Sequence, residues 1–150
     1  MSATPPATSP AAGPPARLRA ELMAHAPFAQ MAPEDVDRFL AAAEPACYAA
    51  DATVLAPELG VPTHLLLVRQ GSVTARRDAD PAAAGDLLEA GELFPVGAVL
   101  GRRPVSARYI AAEDSVCLRV PAAQVHALAA RSAPFADFLE RRVEQTLALA

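Results

Sequence analysis

Apolar positions recur with two different periods along this chain, and the change from one to the other divides it. Leu18, Leu22 and Met23 are spaced as on one side of a helix that stops before Pro27. Pro33 opens a second helix, predicted over Pro33 to Ala43, with Glu34 and Asp35 in the first turn and Val36, Phe39, Leu40 and Ala43 on one face. From Pro45 onward the pattern becomes alternating or continuously apolar. Cys47 to Ala49, Thr53 to Ala56, His64 to Arg69, Ser72 to Arg76, Asp86 to Glu89, Val105 to Ala111 and Val116 to Val120 are short runs separated by Gly, Pro or Asp. This spacing predicts a β-roll or barrel rather than a parallel sheet. The clearest hairpin turns at Gly71, with Leu65, Leu67 and Arg69 on one face of its first strand and His64, Leu66 and Val68 on the other. Asp78 to Gly85 is expected to be a loop. Helical spacing returns at the end, first from Pro121 with Val125 and Leu128 turned inward. A last helix, from Pro134 to Leu149, carries the stripe Phe135, Phe138, Leu139, Val143 and Leu147.

One stretch interrupts the strands. Gly91 to Ala112 begins with a glycine turn and passes through Pro95 into a short helix, Val96 to Leu100. Gly101, Arg102, Arg103 and Pro104 then break the helix and return the chain to β-type composition. The first backbone N–H groups of such a helix have no partner within it, and Gly97 and Ala98 leave room for close approach, so an anion could sit there.

Composition narrows the function. At 150 residues, 53% hydrophobic and 20% charged, the chain is the size of one domain with a substantial core and is expected to be soluble and globular. Met1 to Ala16 is Pro, Ala, Ser, Thr and Gly and should form a disordered tail, leaving 17–150 as the folded domain. A formal charge of −4 argues against a general nucleic-acid partner. No stretch approaches a membrane span and no leader pattern is visible, so no membrane partner and a cytoplasmic location are expected. Cys47 and Cys117 stand alone in apolar contexts and are expected to be reduced core residues. His25, His64 and His126 show no ligand spacing, so no metal is expected. There is no G-x-S-x-G, P-loop or H-E-x-x-H, and no catalytic residue or enzyme is read here.

Gly91-Glu92-Leu93-Phe94-Pro95-Val96-Gly97-Ala98, followed by Pro104-Val105-Ser106-Ala107, resembles the phosphate-binding cassette of cyclic-nucleotide-binding domains, G-E-x-F-G-E-x-A-L then P-R-S-A. The hairpin around Gly71 is similar to that family's L-Y-x-V-x-x-G-x-V segment, and Glu58 to Val61 stands where the family has its preceding turn. The resemblance runs from about Leu18 to Val143. It implies an α+β domain, mainly β with flanking helices: a β-roll with N-terminal helices, an inserted cassette helix and two C-terminal helices. The candidate ligand-binding residues are Gly91, Glu92, Leu93, Phe94, Pro95, Val96, Gly97 and Ala98, then Arg102, Arg103, Pro104, Val105, Ser106, Ala107 and Arg108.

The departures set the functional expectation. In family members that bind cyclic nucleotides, a cassette Glu takes the ribose hydroxyl and the Arg of P-R-S-A takes the cyclic phosphate. Val96 and Val105 stand at those two positions. Losing both charge-assisted bonds should weaken cyclic-nucleotide binding by about two to four orders of magnitude. Arg102 and Arg103, in the turn before the strand, read either as a solvated turn or, with Arg108, as charges that could restore an anion site. Arg108 alternates with Val105, Ala107 and Tyr109, and the sequence leaves open which of the two faces looks into the roll. The segment F-P-V-G-A with R-R-P-V and Tyr109, and the later A-A-E-D-S-V-C-L-R-V-P, resemble a divergent subgroup in bacterial signalling proteins. There the domain precedes a CBS pair and a nucleotidyltransferase-like domain. This chain ends at Ala150, so it is expected to be a free-standing relative or the sensory part of a longer protein. The expected function is therefore a non-catalytic regulatory module with no cofactor and a small anionic or nucleotide ligand. The alternatives are a dimerisation domain with a filled pocket and a cyclic-nucleotide receptor with displaced anchors. The C-terminal helix is expected to form a homodimer through Val143 and Leu147, or to meet a downstream domain.

Overall fold

The computed structural model describes residues 16–77 and 85–149, with side chains described as far as residue 144. The expected tail over 1–16 falls almost wholly outside the described residues, as does most of the loop over 78–85. Helix α1 spans Ala16–Met23, a single 3-10 turn follows at Phe28–Gln30, and α2 spans Pro33–Ala42. Proline at the first position of α2 sacrifices an N–H that has no helical partner in any case.

Eight strands then form two antiparallel sheets. β1 (Glu44–Tyr48), β8 (Ser115–Pro121), β3 (His64–Gln70) and β6 (Leu93–Phe94) make the first, in that order. β2 (Thr53–Leu55), β7 (Arg108–Ala111), β4 (Val73–Arg76) and β5 (Asp86–Leu88) make the second. Helix α3 (Val96–Gly101) is inserted between β6 and β7, and α4 (Ala122–Arg131) and α5 (Ala133–Leu149) close the fold. This is the expected order of helices, β-roll, inserted helix and C-terminal helices.

Two cores lie on opposite sides of the first sheet. Leu65, Leu67, Leu93, Leu118 and Val120 face the helices, where Leu22, Phe28, Val36, Phe39, Val125, Phe135 and Leu139 cover them. Phe39 sits edge-on to Phe28 at 4.8 Å and to Phe135 at 6.2 Å. Leu66, Val68, Phe94 and Cys117 face the second sheet and meet Val54, Val73, Leu88 and Ala111 inside the roll. The alternation expected along β3 is therefore the partition between the two cores. Asp35 ties the helices together from a nearly buried position, 3.0 Å from Arg38 and 3.4 Å from Arg131.

Several boundaries differ from expectation. β1 begins at Glu44 rather than Cys47, because Glu44, Pro45 and Ala46 pair with Arg119, Leu118 and Cys117. Pairing recruits them despite their composition, and an edge strand tolerates the proline. Cys47 is exposed on that edge, which corrects its assignment to the core, whereas Cys117 is fully buried. β7 begins at Arg108, not Val105, because its partner β4 ends at the residue opposite, Arg76. The two-residue strand β6, pairing Leu93 and Phe94 with Leu67 and Leu66, had no signal of its own.

Candidate functional site

The interrupting segment is held by its own turn. Gly91 adopts φ 96°, and a side-chain carbon there would lie 2.8 Å from the His25 ring, so both conformation and space require glycine. The Glu92 carboxylate accepts the Glu89 amide at 2.7 Å, which makes Glu92 a turn-closing residue. Leu93 and Phe94 then enter the first sheet, one to each side: Leu93 lies under the helices and Phe94 in the roll.

Pro95 precedes α3, whose carbonyl-to-amide bonding starts with Val99 donating to the Pro95 oxygen at 3.1 Å. Val96, Ala98 and Val99 are buried, and Val96 and Val99 belong to the helix-side core. The helix ends as Arg102 turns left-handed at φ 53° and Arg103 donates its amide to the Ala98 oxygen. The Arg103 side chain doubles back along the glycine face of α3. A carbon added at Gly97 would lie 3.3 Å from its terminal nitrogen, and one added at Gly101 3.6 Å from its Nε. Arg102, Pro104 and Ser106 are exposed, while Val105 and Ala107 are buried.

The direction of β7, open in the sequence, is fixed by its pairing. Val73 and Ala111 are opposite one another and both lie in the roll core, so Ala75 and its partner Tyr109 also face inward. Arg108 faces outward with Arg76. Its guanidinium donates to Glu58 at 2.6 Å on the 3-10 turn Pro57–Leu59, and this hydrogen bond holds the exposed Glu58 carboxyl below its ordinary range. Glu58 was not singled out as a partner, since the two residues are far apart in sequence and meet only through the pairing of β2 with β7.

Inside the roll, Tyr109 stacks on Phe94 with ring centroids 5.0 Å apart and planes 20° from parallel. Burial pushes the Tyr109 phenol above its usual range, against the pull of Arg77. Asp86, opposite Ala75 on the same inner face, adds to the rise, and Arg142 of α5 opposes it. The inner face of the roll therefore carries a stacked aromatic pair, with Asp86 on the same face by its pairing with Ala75. Outside the roll, α3 and α5 bound a groove of about 420 Å³ lined by Gly97, Leu100, Gly101, Arg103, Glu140, Val143 and Glu144.

Residues 45–132 match the cyclic nucleotide-binding domain family. The chain belongs to that family. This cyclic nucleotide-binding domain is similar in fold to the regulatory domain of Toxoplasma gondii PKA, seen in a co-crystal with cAMP. The TM-score is 0.73 at 15% identity, over 85% of this chain and 48% of that one. It is also similar to the sensor domain of the transcriptional regulator DNR from Pseudomonas aeruginosa, with TM-score 0.70 and 15% identity over 86% of this chain and 92% of that one. The Thermus thermophilus catabolite activator protein is 29% identical, with TM-score 0.64 over 86% of this chain and 61% of its own. The domain thus spans about half of the Toxoplasma chain and most of the DNR sensor domain. No curated protein matches the sequence. Domains of this family are regulatory rather than catalytic. Among the described residues no group of three or more His, Cys, Asp or Glu could hold a metal ion, and no helix is long and apolar enough to cross a membrane.

Proposed function

We propose that this domain is a regulatory ligand-binding module that does not hold cAMP or cGMP in the manner of its family. The observation that carries this reading is the character of the two anchor positions: Val96 and Val105 are apolar and only 7% and 5% exposed. Neither can accept a ribose hydroxyl or pair with a phosphate. Arg108, the nearest cation along β7, is turned outward onto Glu58 and supplies no substitute. What the roll carries on its inner face is the Phe94–Tyr109 stack, with Asp86 on the same face. Such a site favours a planar molecule with a polar edge over a cyclic phosphate. Packing of α5 on α3 supports an output through the C-terminal helix, against a second copy or a following domain of the CBS or nucleotidyltransferase-like kind.

The stack also supports a second reading, in which Phe94 and Tyr109 fill the roll and the domain acts by dimerisation alone. Thermal unfolding against a panel of nucleotides separates the two, since a ligand that binds the native state raises its apparent stability. Titration calorimetry with cAMP and cGMP tests the main claim. Weak or absent binding is expected, and a dissociation constant of about a micromolar or tighter would overturn it.

A further inference from the structure

Away from the cassette, a cleft of about 440 Å³ opens between α1 and the end of β3. Its floor is Leu22, Phe28 and Leu67, all 4% exposed or less. Its rim carries Glu21, His25 and Arg69, and Gly91 forms one wall. A cleft of this size, with an apolar floor and a few convergent polar groups, has the make-up of a small-molecule site. Arg69 stands there because it continues the row Leu65, Leu67, Arg69 on the helix side of β3, so an apolar row ends in a guanidinium.

The Arg69 pairing is loose. Its Nε lies 3.3 Å from Glu21, a long contact that does not use the terminal fork, and the two side chains are 29% and 42% exposed. A rim pair of this kind contributes little and can be exchanged for a ligand. The Arg69 side chain is the more buried partner, it lines the cleft together with His25, and its planar fork matches a carboxylate with two parallel bonds.

We infer that this cleft binds a small organic carboxylate with an aromatic or branched apolar body, the body resting on Phe28 and Leu67 and the carboxylate on Arg69. The site lies outside the roll and does not depend on how the roll is used. The test is a titration of the isotopically labelled full chain with 3-phenylpropionate, followed by amide chemical shifts, with 3-phenylpropionamide and phenethylamine as matched neutral and cationic probes. Saturable shifts are expected at Leu22 to Phe28, Leu67 to Gln70 and Gly91. Affinity should fall by about tenfold or more in Arg69→Gln and for the neutral amide, the loss of one charge-assisted contact. Ala24→Trp, made at an exposed position beside the mouth, should abolish the shifts while the spectrum elsewhere stays folded. The inference is overturned if no saturable shift occurs up to about 10 mM carboxylate, a ceiling far weaker than any specific site of this size. It is overturned equally if the amide or amine binds as well as the carboxylate, if Arg69→Gln or Ala24→Trp binds like wild type, or if the shifts map to Phe94 and Tyr109.

Discussion

Cys47 and Cys117 carry the same thiol in unequal surroundings, one on the open edge of β1 and the other buried inside the roll, where the lack of solvation pushes its pKa up to about 11. A buried thiol that keeps its proton makes stability depend on pH in one direction. Below roughly pH 9 the folded and unfolded chains hold the proton alike; as pH rises toward 11 only the unfolded chain releases it, so stability falls by up to about 1.4 kcal/mol per pH unit. Tyr109, also raised by burial, adds a fall of the same sign. Urea denaturation from about pH 8 to 11 should therefore show a shallower decline in Cys117→Ala than in wild type, and equal slopes would contradict this account. A thiol reagent in native buffer should modify Cys47 first. Both cysteines read alike in the sequence because each sits among apolar neighbours; what separates them is that β8 is central and β1 is an edge, a fact of pairing. The cassette anchors are the opposite case, since Val96 and Val105 were legible by their departure from a family pattern. The frame around them is kept, so Val96→Glu with Val105→Arg should raise cAMP affinity by about tenfold or more, as each restored bond contributes about 1.5–3 kcal/mol. The gain should be partial, because Val96 points into the helix-side core and Pro95 lacks an N–H. Calorimetry of a normally folded double mutant with no gain would show the alignment of the cassette to be wrong.

At the level of elements, helix types and order were readable from periodicity, and strand ends were not. Pro33, Pro121 and Pro134 each stand at or beside the start of the helix they predict, since proline costs nothing there. The starts of β1 and β7 each shifted by three residues because pairing with a neighbour, rather than apolar content, decides where a strand starts. Helix α5 carries the expected dimer contact. Phe135 and Leu139 are fully covered by the core, Phe138 and Val143 are partly covered, and Val143 borders the groove against Gly97 and Gly101 of α3. Leu147, the other residue expected at a dimer contact, has a side chain outside the described residues. A second copy seated along Val143 and Leu147 would bury two apolar side chains per subunit, worth about 3–6 kcal/mol before association entropy, which makes a weak dimer. Sedimentation at high micromolar concentration should show this dimer in the wild type and its loss in Val143→Glu. A wild-type monomer, or a mutant that associates equally well, would exclude this interface.

For the whole molecule, the family match covers 45–132, while α1, α2 and all of α5 lie beyond it and supply Leu22, Val36, Phe39, Phe135 and Leu139 to the helix-side core. The cleft at Arg69 exists because α1 and the segment after it, up to Phe28, lie against β3. Its one trace in the sequence is the face shared by Leu65, Leu67 and Arg69, which says nothing of what packs opposite. The fold was legible because two periods and a run of glycine turns are local signals. The contents of the roll were not, because Phe94 and Tyr109 stand on consecutive strands that join different sheets and meet only when the two sheets face each other. The first sheet, lined with Leu66 and Val68 on one side and Leu65 and Leu67 on the other, is a wall shared by two packed cores. A close-packed wall with no slack cannot yield on one side alone. A change of volume at Leu66 or Val68 is therefore expected to strain Leu65 and Leu67 through the thickness of one sheet.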